Sequence, residues 1–337
     1  MNEPWVVGGV FEVGVGVKDI ARATAYWRSF GYRAGPRGRL RAAEAAALYG
    51  VDSALESLRL LHQDADHGLV RLMCWEKGAG PGLGLVPLRT PGNRWAVAKT
   101  REVQMATNHA RMMKAKGAEI WFTEPISRPV GVTPDQADPF VASFPSKSEI
   151  AIFTPEMRHV VVQRFGHDLP KFGRHNEDSL FRGSQFTQVG ICVDRKDMAQ
   201  AEFYGKVLGL QRSAMHTYAI SEFIGGMTGL KAGEELLEID FDNIRSGPAP
   251  EQQLSGKLRV FGVQPIAGQA TGFGVTNPGN LGFSLYTLRT PQLDRLRDKI
   301  ADAGARSVSA IAQDEFGTRA CTFMAPDGYV WTIIEVI

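Results

Sequence analysis

The chain has 337 residues, with 38 Lys and Arg against 36 Asp and Glu, a formal net charge of +2 and 44% hydrophobic residues. That length suits roughly two domains of ordinary soluble composition. The charge balance leaves no basic stripe for nucleic acid, and no apolar run reaches the roughly 18 residues that a membrane-spanning helix needs. In chain order, the segment EVGVGVKDIARATAYWRSFGY (12–32) reads as an alternating strand, a charged turn and an Ala-rich helix bearing Tyr26 and Trp27. It closes at Gly31, where a helix C-cap calls for positive φ. RAAEAAALYG (41–50) reads as a small extra helix and LVRLMCW (69–75) as an apolar strand. Segment 91–120 opens on Pro-Gly-Asn and continues as a strand, then a helix ending at Gly117-Ala118. After loop-like residues 127–148 come the strands of EIAIFTPEMRHVVVQRF (149–165). Residues 166–185 are polar and rich in turn formers, as a linker is.

The pattern then starts again. QVGICVDRKDMAQAEFYGKVLGL (188–210) repeats the strand, charged turn and helix, with Phe203 and Tyr204 as the paired aromatics and Gly209 at the cap. FIGGMTGL (223–230) stands where the extra helix stood, ELLEIDF (235–241) reads as that unit's last strand, and 243–280 reads as a loop. A second Pro-Gly-Asn segment (278–308) again gives a strand and a helix, ending at Gly304-Ala305. ACTFMAPDGYVWTIIEV (320–336) closes the chain with a Pro-Asp-Gly turn before a β-branched and aromatic strand. Two kinds of unit therefore alternate as A, B, A, B, each a strand, a helix and about three strands. Internal repeats of this kind fix the architecture.

Four βαβββ units with a PDG turn before the last strand resemble the vicinal oxygen chelate superfamily, which includes glyoxalase I, extradiol dioxygenases and the bleomycin-resistance proteins. The resemblance implies an α+β fold in which four βαβββ modules pair into two pseudo-symmetric domains, each with a curved mixed sheet around a cavity. The expected division is 1–165 for modules one and two, 166–185 as the linker and 186–337 for modules three and four, each half with its own core.

In that family a divalent metal sits on side chains from the first and last strands of paired modules. Carried over residue by residue, the C-terminal positions fall on Gln188, Glu238, Phe283 (or Ser284 or Gly282) and Thr332. Gln188 and Glu238 are compatible with a metal; Phe283 and Thr332 are not good ligands. The N-terminal positions fall on Glu12, Arg71 (or Leu72), Trp95 or Ala96, and Val161. Arg71 puts a cation where a ligand belongs. The extradiol positions would be Gln188, Phe283 and Thr332, without the two histidines that such an iron site requires. The expectation is a degenerate metal site and no bound cofactor.

Two constellations remain for chemistry. In the C-terminal half, Glu238 among Leu237, Ile239 and Phe241 is a candidate base of raised pKa, with Gln188 and Thr332 orienting a carbonyl or hydroxyl. Phe283, Tyr286 and Trp331 supply an aromatic wall, and Arg319 with Glu315 a clamp for a carboxylate. In the N-terminal half, Glu12, Arg71, Trp95 and His159 form a second candidate set. Against these stand structural readings: salt bridges between sheets, packed aromatics and a solvated surface. The resulting expectation is metal-independent acid–base chemistry, of isomerase, hydratase or lyase type, on a small and partly aromatic organic molecule. The alternatives are a non-catalytic binder of the resistance-protein kind and a divergent metal-dependent glyoxalase or dioxygenase. MNEPWVVGG lacks the basic and apolar regions of a signal peptide. The dispersed Cys74, Cys192 and Cys321 read as buried free thiols. Both point to the cytoplasm, with neither nucleic acid nor membrane as partner and a homo-oligomer left open.

Overall fold

The computed structural model describes residues 5–130, 145–219, 222–266, 268 and 270–336. The middle of the loop expected over 127–148 lies outside them. Module one consists of β1 (Glu12–Gly16), α1 (Ile20–Arg28), β2 (Arg33–Leu40), α2 (Ala42–Tyr49), β3 (Leu55–Leu61) and β4 (Leu69–Trp75). Module two consists of β5 (Arg94–Lys99), α3 (Val103–Ala115), β6 (Trp121–Phe122), β7 (Ile126–Pro129), β8 (Ser146–Phe153) and β9 (Arg158–Phe165). Module three runs through β10 (Phe186–Asp194), α4 (Glu202–Lys206), β11 (Gln211–Ala219), α5 (Glu222–Thr228), β12 (Glu235–Asp242) and β13 (Lys257–Val263). Module four is β14 (Gly282–Thr290), α6 (Leu293–Asp302), β15 (Ala312–Gln313), β16 (Arg319–Met324) and β17 (Val330–Glu335).

Local chemistry places the helices. The Asp19 carboxylate accepts from the Ala21 and Arg22 backbone amides at the start of α1. Gly31, Gly117, Gly209 and Gly304 all stand at positive φ after their helices, as the repeat predicts. No helix among the described residues is long and apolar enough to cross a membrane.

Two mixed sheets result. One runs β15-β16-β17-β14-β1-β4-β3-β2 and the other β11-β12-β13-β10-β5-β9-β8-β6, with β7 paired to β8. In every module the first strand lies parallel beside the last, as in β1 beside β4 and β10 beside β13. Each sheet is then completed by an antiparallel pair of first strands, β1 with β14 and β5 with β10. The four modules therefore do pair into two pseudo-symmetric sheets. The partners, however, are one with four (the outer-pair sheet) and two with three (the inner-pair sheet).

This corrects the expected division at 166–185. The inner-pair sheet is continuous across that boundary, and the segment is packed rather than free. Phe172 and Phe181 are buried, and the Thr100 hydroxyl donates to the Phe181 carbonyl at 2.5 Å. The halves do not have separate cores either. One cluster joins Trp27 and Ala106 of α1 and α3, Tyr204 and Leu296 of α4 and α6, and Val13, Ile191, Tyr286 and Trp331 from both sheets. All four first strands offer an equivalent free edge, so the repeat alone cannot choose partners. Side-chain fit does. A Cβ on Gly190 would lie 2.1 Å from the Trp95 indole, and one on Gly14 would lie 2.8 Å from Leu285 Cβ. Glycine at these two matching positions lets the partner module's side chain cross the strand.

Candidate functional site

Strand register gives the equivalences between the two sheets. Gly14 faces Arg71 on one side and Leu285 on the other; Gly190 faces Arg259 and Trp95 in the same way. Glu12 thus corresponds to Gln188, Arg71 to Arg259, Thr287 to Val97 and Thr332 to Val160. The register therefore shifts four of the metal positions carried over from the family: Thr287 replaces Phe283, Val97 replaces Trp95 or Ala96, Val160 replaces Val161 and Arg259 replaces Glu238. One set is Glu, Arg, Thr and Thr; the other is Gln, Arg, Val and Val. A guanidinium occupies the same strand position in both, and neither set has a histidine or more than one carboxylate for a divalent ion. Among the described residues there is no group of three or more His, Cys, Asp or Glu that could hold one. The donor chemistry does not fit the family's metal.

In the outer-pair sheet the concave face is filled by its own charges. Arg71 Nε donates to Glu12 Oε1 at 2.6 Å, and Arg59 Nε donates to Glu12 Oε2 at 2.7 Å. Arg71 Nη1 donates to the Tyr49 hydroxyl at 2.6 Å and lies 3.4 Å from Glu315 Oε1. Tyr49 and Ser57 each donate to Glu315 at 2.7 Å, and Phe316 lies 4.0 Å beneath the Arg59 guanidinium. Glu12, Arg71 and Glu315 are fully buried. Burial pushes the Glu12 carboxyl up, but Arg59 and Arg71 together outweigh it and bring it down to about 2. Glu12 is therefore an ionised counterion at neutral pH. Of the second candidate set only Glu12 and Arg71 meet.

The other members lie apart. His159 is on the opposite strand face, buried in the core, with Nε2 2.9 Å from the Tyr26 hydroxyl and its Nδ1 without a partner among the described residues. Burial drives it down to about 3, so it is neutral. Trp95 belongs to the inner-pair sheet.

The first candidate set is also divided. Thr332 sits in the outer-pair sheet, its hydroxyl 2.9 Å from that of Thr322. Phe283, Tyr286 and Trp331 pack in the shared core, not against a cavity. Leu285 and Thr287 share the concave face; strand parity turns Tyr286 away from it, and the register shift between Leu285 and Phe283 turns Phe283 away as well. Arg319 is on the surface, paired to Glu335 at 2.9 Å and Asp294 at 3.0 Å. Glu315, expected beside it, is instead the buried acceptor of Tyr49. Glu238 is on β12 and not on the last strand of module three, because Lys257–Val263, read from sequence as loop, forms β13.

Gln188 and Glu238 do come together, with Trp95, around a cavity of about 270 Å³ in the inner-pair sheet. Its walls include Val97, Val160, Val162, Phe172, Tyr218 and Phe261. The Trp95 and Phe261 ring centroids are 4.7 Å apart. Arg259 binds Glu238 at 3.1 Å and Asp240 at 2.8 Å, while Lys257 reaches Asp240 at 3.0 Å and Asp242 at 2.9 Å. These carboxylates share their cations unequally. Burial pushes Glu238 above the usual carboxylate range, Arg259 opposes it and Asp240 adds to it. Asp240, also penalised by burial, is held down to about 2 by Arg259 and Lys257. Around the rest of the cavity stand Lys99, Arg128, Lys147, Glu149 and Arg164. Sequence reasoning missed Arg259 and this cationic flank. The signal for Arg259 was present: KLRVFGV stands to QVGICV as LVRLMCW stands to EVGVGV.

Residues 186–333 match the family described as "Glyoxalase/Bleomycin resistance protein/Dioxygenase superfamily". No curated protein matches the chain in sequence. Among solved structures, glyoxalase I from Zea mays is similar over 97% of this chain and 92% of its own, at 14% identity and a TM-score of 0.56. A candidate dioxygenase from Bacillus subtilis subsp. subtilis str. 168 is similar over 99% of this chain and 86% of its own, at 12% identity and a TM-score of 0.56. At such identities the likeness is one of fold. The third and fourth modules thus match the glyoxalase, bleomycin-resistance and dioxygenase superfamily in sequence, and the fold of the whole chain is the one seen in these two structures.

Proposed function

We propose that the protein is an acid–base enzyme acting on a small, partly aromatic organic molecule in the inner-pair cavity, without a metal. Glu238 carries this reading. It is a buried carboxylate on the cavity wall whose affinity for protons is raised by burial and by Asp240. A base of raised pKa removes a proton more readily than an ordinary carboxylate does. Gln188, at the position equivalent to Glu12, presents a neutral amide suited to a substrate carbonyl or hydroxyl. Trp95 and Phe261 offer flat apolar faces to a ring. The superfamily includes enzymes, and proton abstraction next to a carbonyl serves isomerase, hydratase and lyase reactions alike. Arg259 stands where the family's metal ligand would be, and its fixed positive charge stabilises an oxyanion as such a site requires.

The test begins with a ligand found by thermal-shift screening of small aromatic acids, ketones and alcohols. Incubated with the protein in deuterium oxide, the ligand should exchange one carbon-bound hydrogen. Glu238→Gln should abolish that exchange while retaining binding within a few-fold. Binding without exchange in the native protein would identify a sequestering protein of the resistance kind instead.

A further inference from the structure

The inner-pair cavity adjoins a second, polar chamber of about 270 Å³, whose lining includes Lys99, Arg101, Arg164, His167, Asp168 and Arg182. Lys99 and Arg164 line both spaces. This follows from strand geometry. Trp95, Val97 and Lys99 alternate along β5, and Val160, Val162 and Arg164 alternate along the parallel neighbour β9. Each strand thus gives the cavity two apolar side chains and then a cation at its C-terminal end.

Ion pairing shows which cation is uncommitted. Lys99 is 2.8 Å from Asp168, Arg101 is 2.7 Å from Glu177, and Arg182 is 3.4 Å from Glu102. Arg164 forms no ion pair among the described residues. Its Nη1 lies 2.9 Å from the His167 imidazole, and its Nε is buried without a partner among those residues. Asp168 and Glu149 act on Arg164 only from beyond ion-pair distance; a half-buried guanidinium with no carboxylate in direct contact is costly, and a bound anion would repair that cost.

We propose that Arg164, with Lys99 beside it, is the head-group site for a monoanionic carboxylate whose apolar or aromatic body lies in the inner-pair cavity over Trp95 and Val97. This rests on the assignment of that cavity as the functional site and names its ligand class. Three of the four chamber cations are neutralised by carboxylates, so one positive charge remains. A carboxylate matches it; a phosphate dianion leaves a charge uncompensated. The outer-pair sheet displays the same chemistry built in, since the Glu12 carboxylate there is held between Arg59 and Arg71.

The probes are phenylbutyrate, its amide and phenylbutyl phosphate, measured by calorimetric titration at low and at physiological salt. Phenylbutyrate should bind roughly 10- to 100-fold more tightly than the amide, the usual worth of a charged hydrogen bond, and more tightly than the phosphate. Arg164→Gln should erase the preference of carboxylate over amide, and Arg164→Lys should keep most of it. The carboxylate-to-amide ratio is a readout that a purely structural arginine would not move. Equal binding of acid and amide, a preference for the phosphate, no binding of any probe, or an unchanged ratio in Arg164→Gln would each overturn the proposal. Deuterium exchange that needs Glu238 but ignores Arg164 would overturn it while leaving the acid–base reading intact. Loss of Glu238-dependent exchange with an Arg164-dependent carboxylate preference would do the reverse.

Discussion

Replacing Glu12 by glutamine should destabilise the protein by about 3 kcal/mol and leave ligand binding in the inner-pair cavity unchanged. The magnitude follows from the ionisation of the group. Glu12 is brought to about 2 in the folded protein against an ordinary 4.5, and each pKa unit is worth about 1.4 kcal/mol. Breaking a buried ion pair by removing one partner typically costs about 3–5 kcal/mol, which agrees. A neutral amide in place of the Glu12 carboxylate would leave Arg71 fully buried with only Glu315 as counterion, and Arg59 with none among the described residues. The sign of the pH dependence is fixed. A depressed carboxyl pKa stabilises the fold above the unfolded value near 4.5, and that contribution is lost as pH falls toward about 2. Urea unfolding of both proteins at neutral pH should therefore show the full gap, and the gap should narrow below pH 4.5. A loss under about 1 kcal/mol, or a gap that widens on acidification, would refute the view that Glu12 is the counterion of a closed cavity.

Two further outcomes follow from the sheets and their side chains. Residues 1–165 and 186–337, expressed separately, should each fail to give a cooperative unfolding transition, because each sheet draws strands from both pieces; cooperative folding of either alone would contradict the observed pairing. Plasma mass spectrometry of the purified protein should find no stoichiometric iron, zinc or manganese, given Gln188, Arg259, Val97 and Val160 at the ligand positions, and one bound equivalent lost with activity on chelation would contradict it.

The module pattern was legible because it rests on local chemistry. Cap glycines at Gly31, Gly117, Gly209 and Gly304 and the two Pro-Gly-Asn turns announce where each strand and helix ends. Module pairing was not legible, since it depends on which strand crosses Gly14 and Gly190. The site was half legible. Gln188 and Glu238 were identified and do share a cavity, whereas Thr332, Phe283, Tyr286 and Trp331 were assigned to it on the assumption that neighbouring modules pair. Reading 243–280 as loop hid β13 and with it Arg259. That segment carries many turn residues, and its Gly262 breaks the apolar run of the strand. Lys99 and Arg164 were invisible for another reason: a lysine and an arginine at strand ends look like solvated charges until the strands are set side by side.

The central claim is that Glu238 is a base held ready in the inner-pair cavity, and its ionisation can be followed directly. Carbon-13 NMR of the glutamate carboxylates, titrated with pH and assigned with Glu238→Gln, should show Glu238 titrating above the ordinary 4.5. The value should fall when Asp240→Asn removes the neighbouring negative charge, because that charge adds to the effect of burial. A Glu238 that titrates at or below the ordinary value would mark it as the ionised partner of Arg259 and contradict its role as the base.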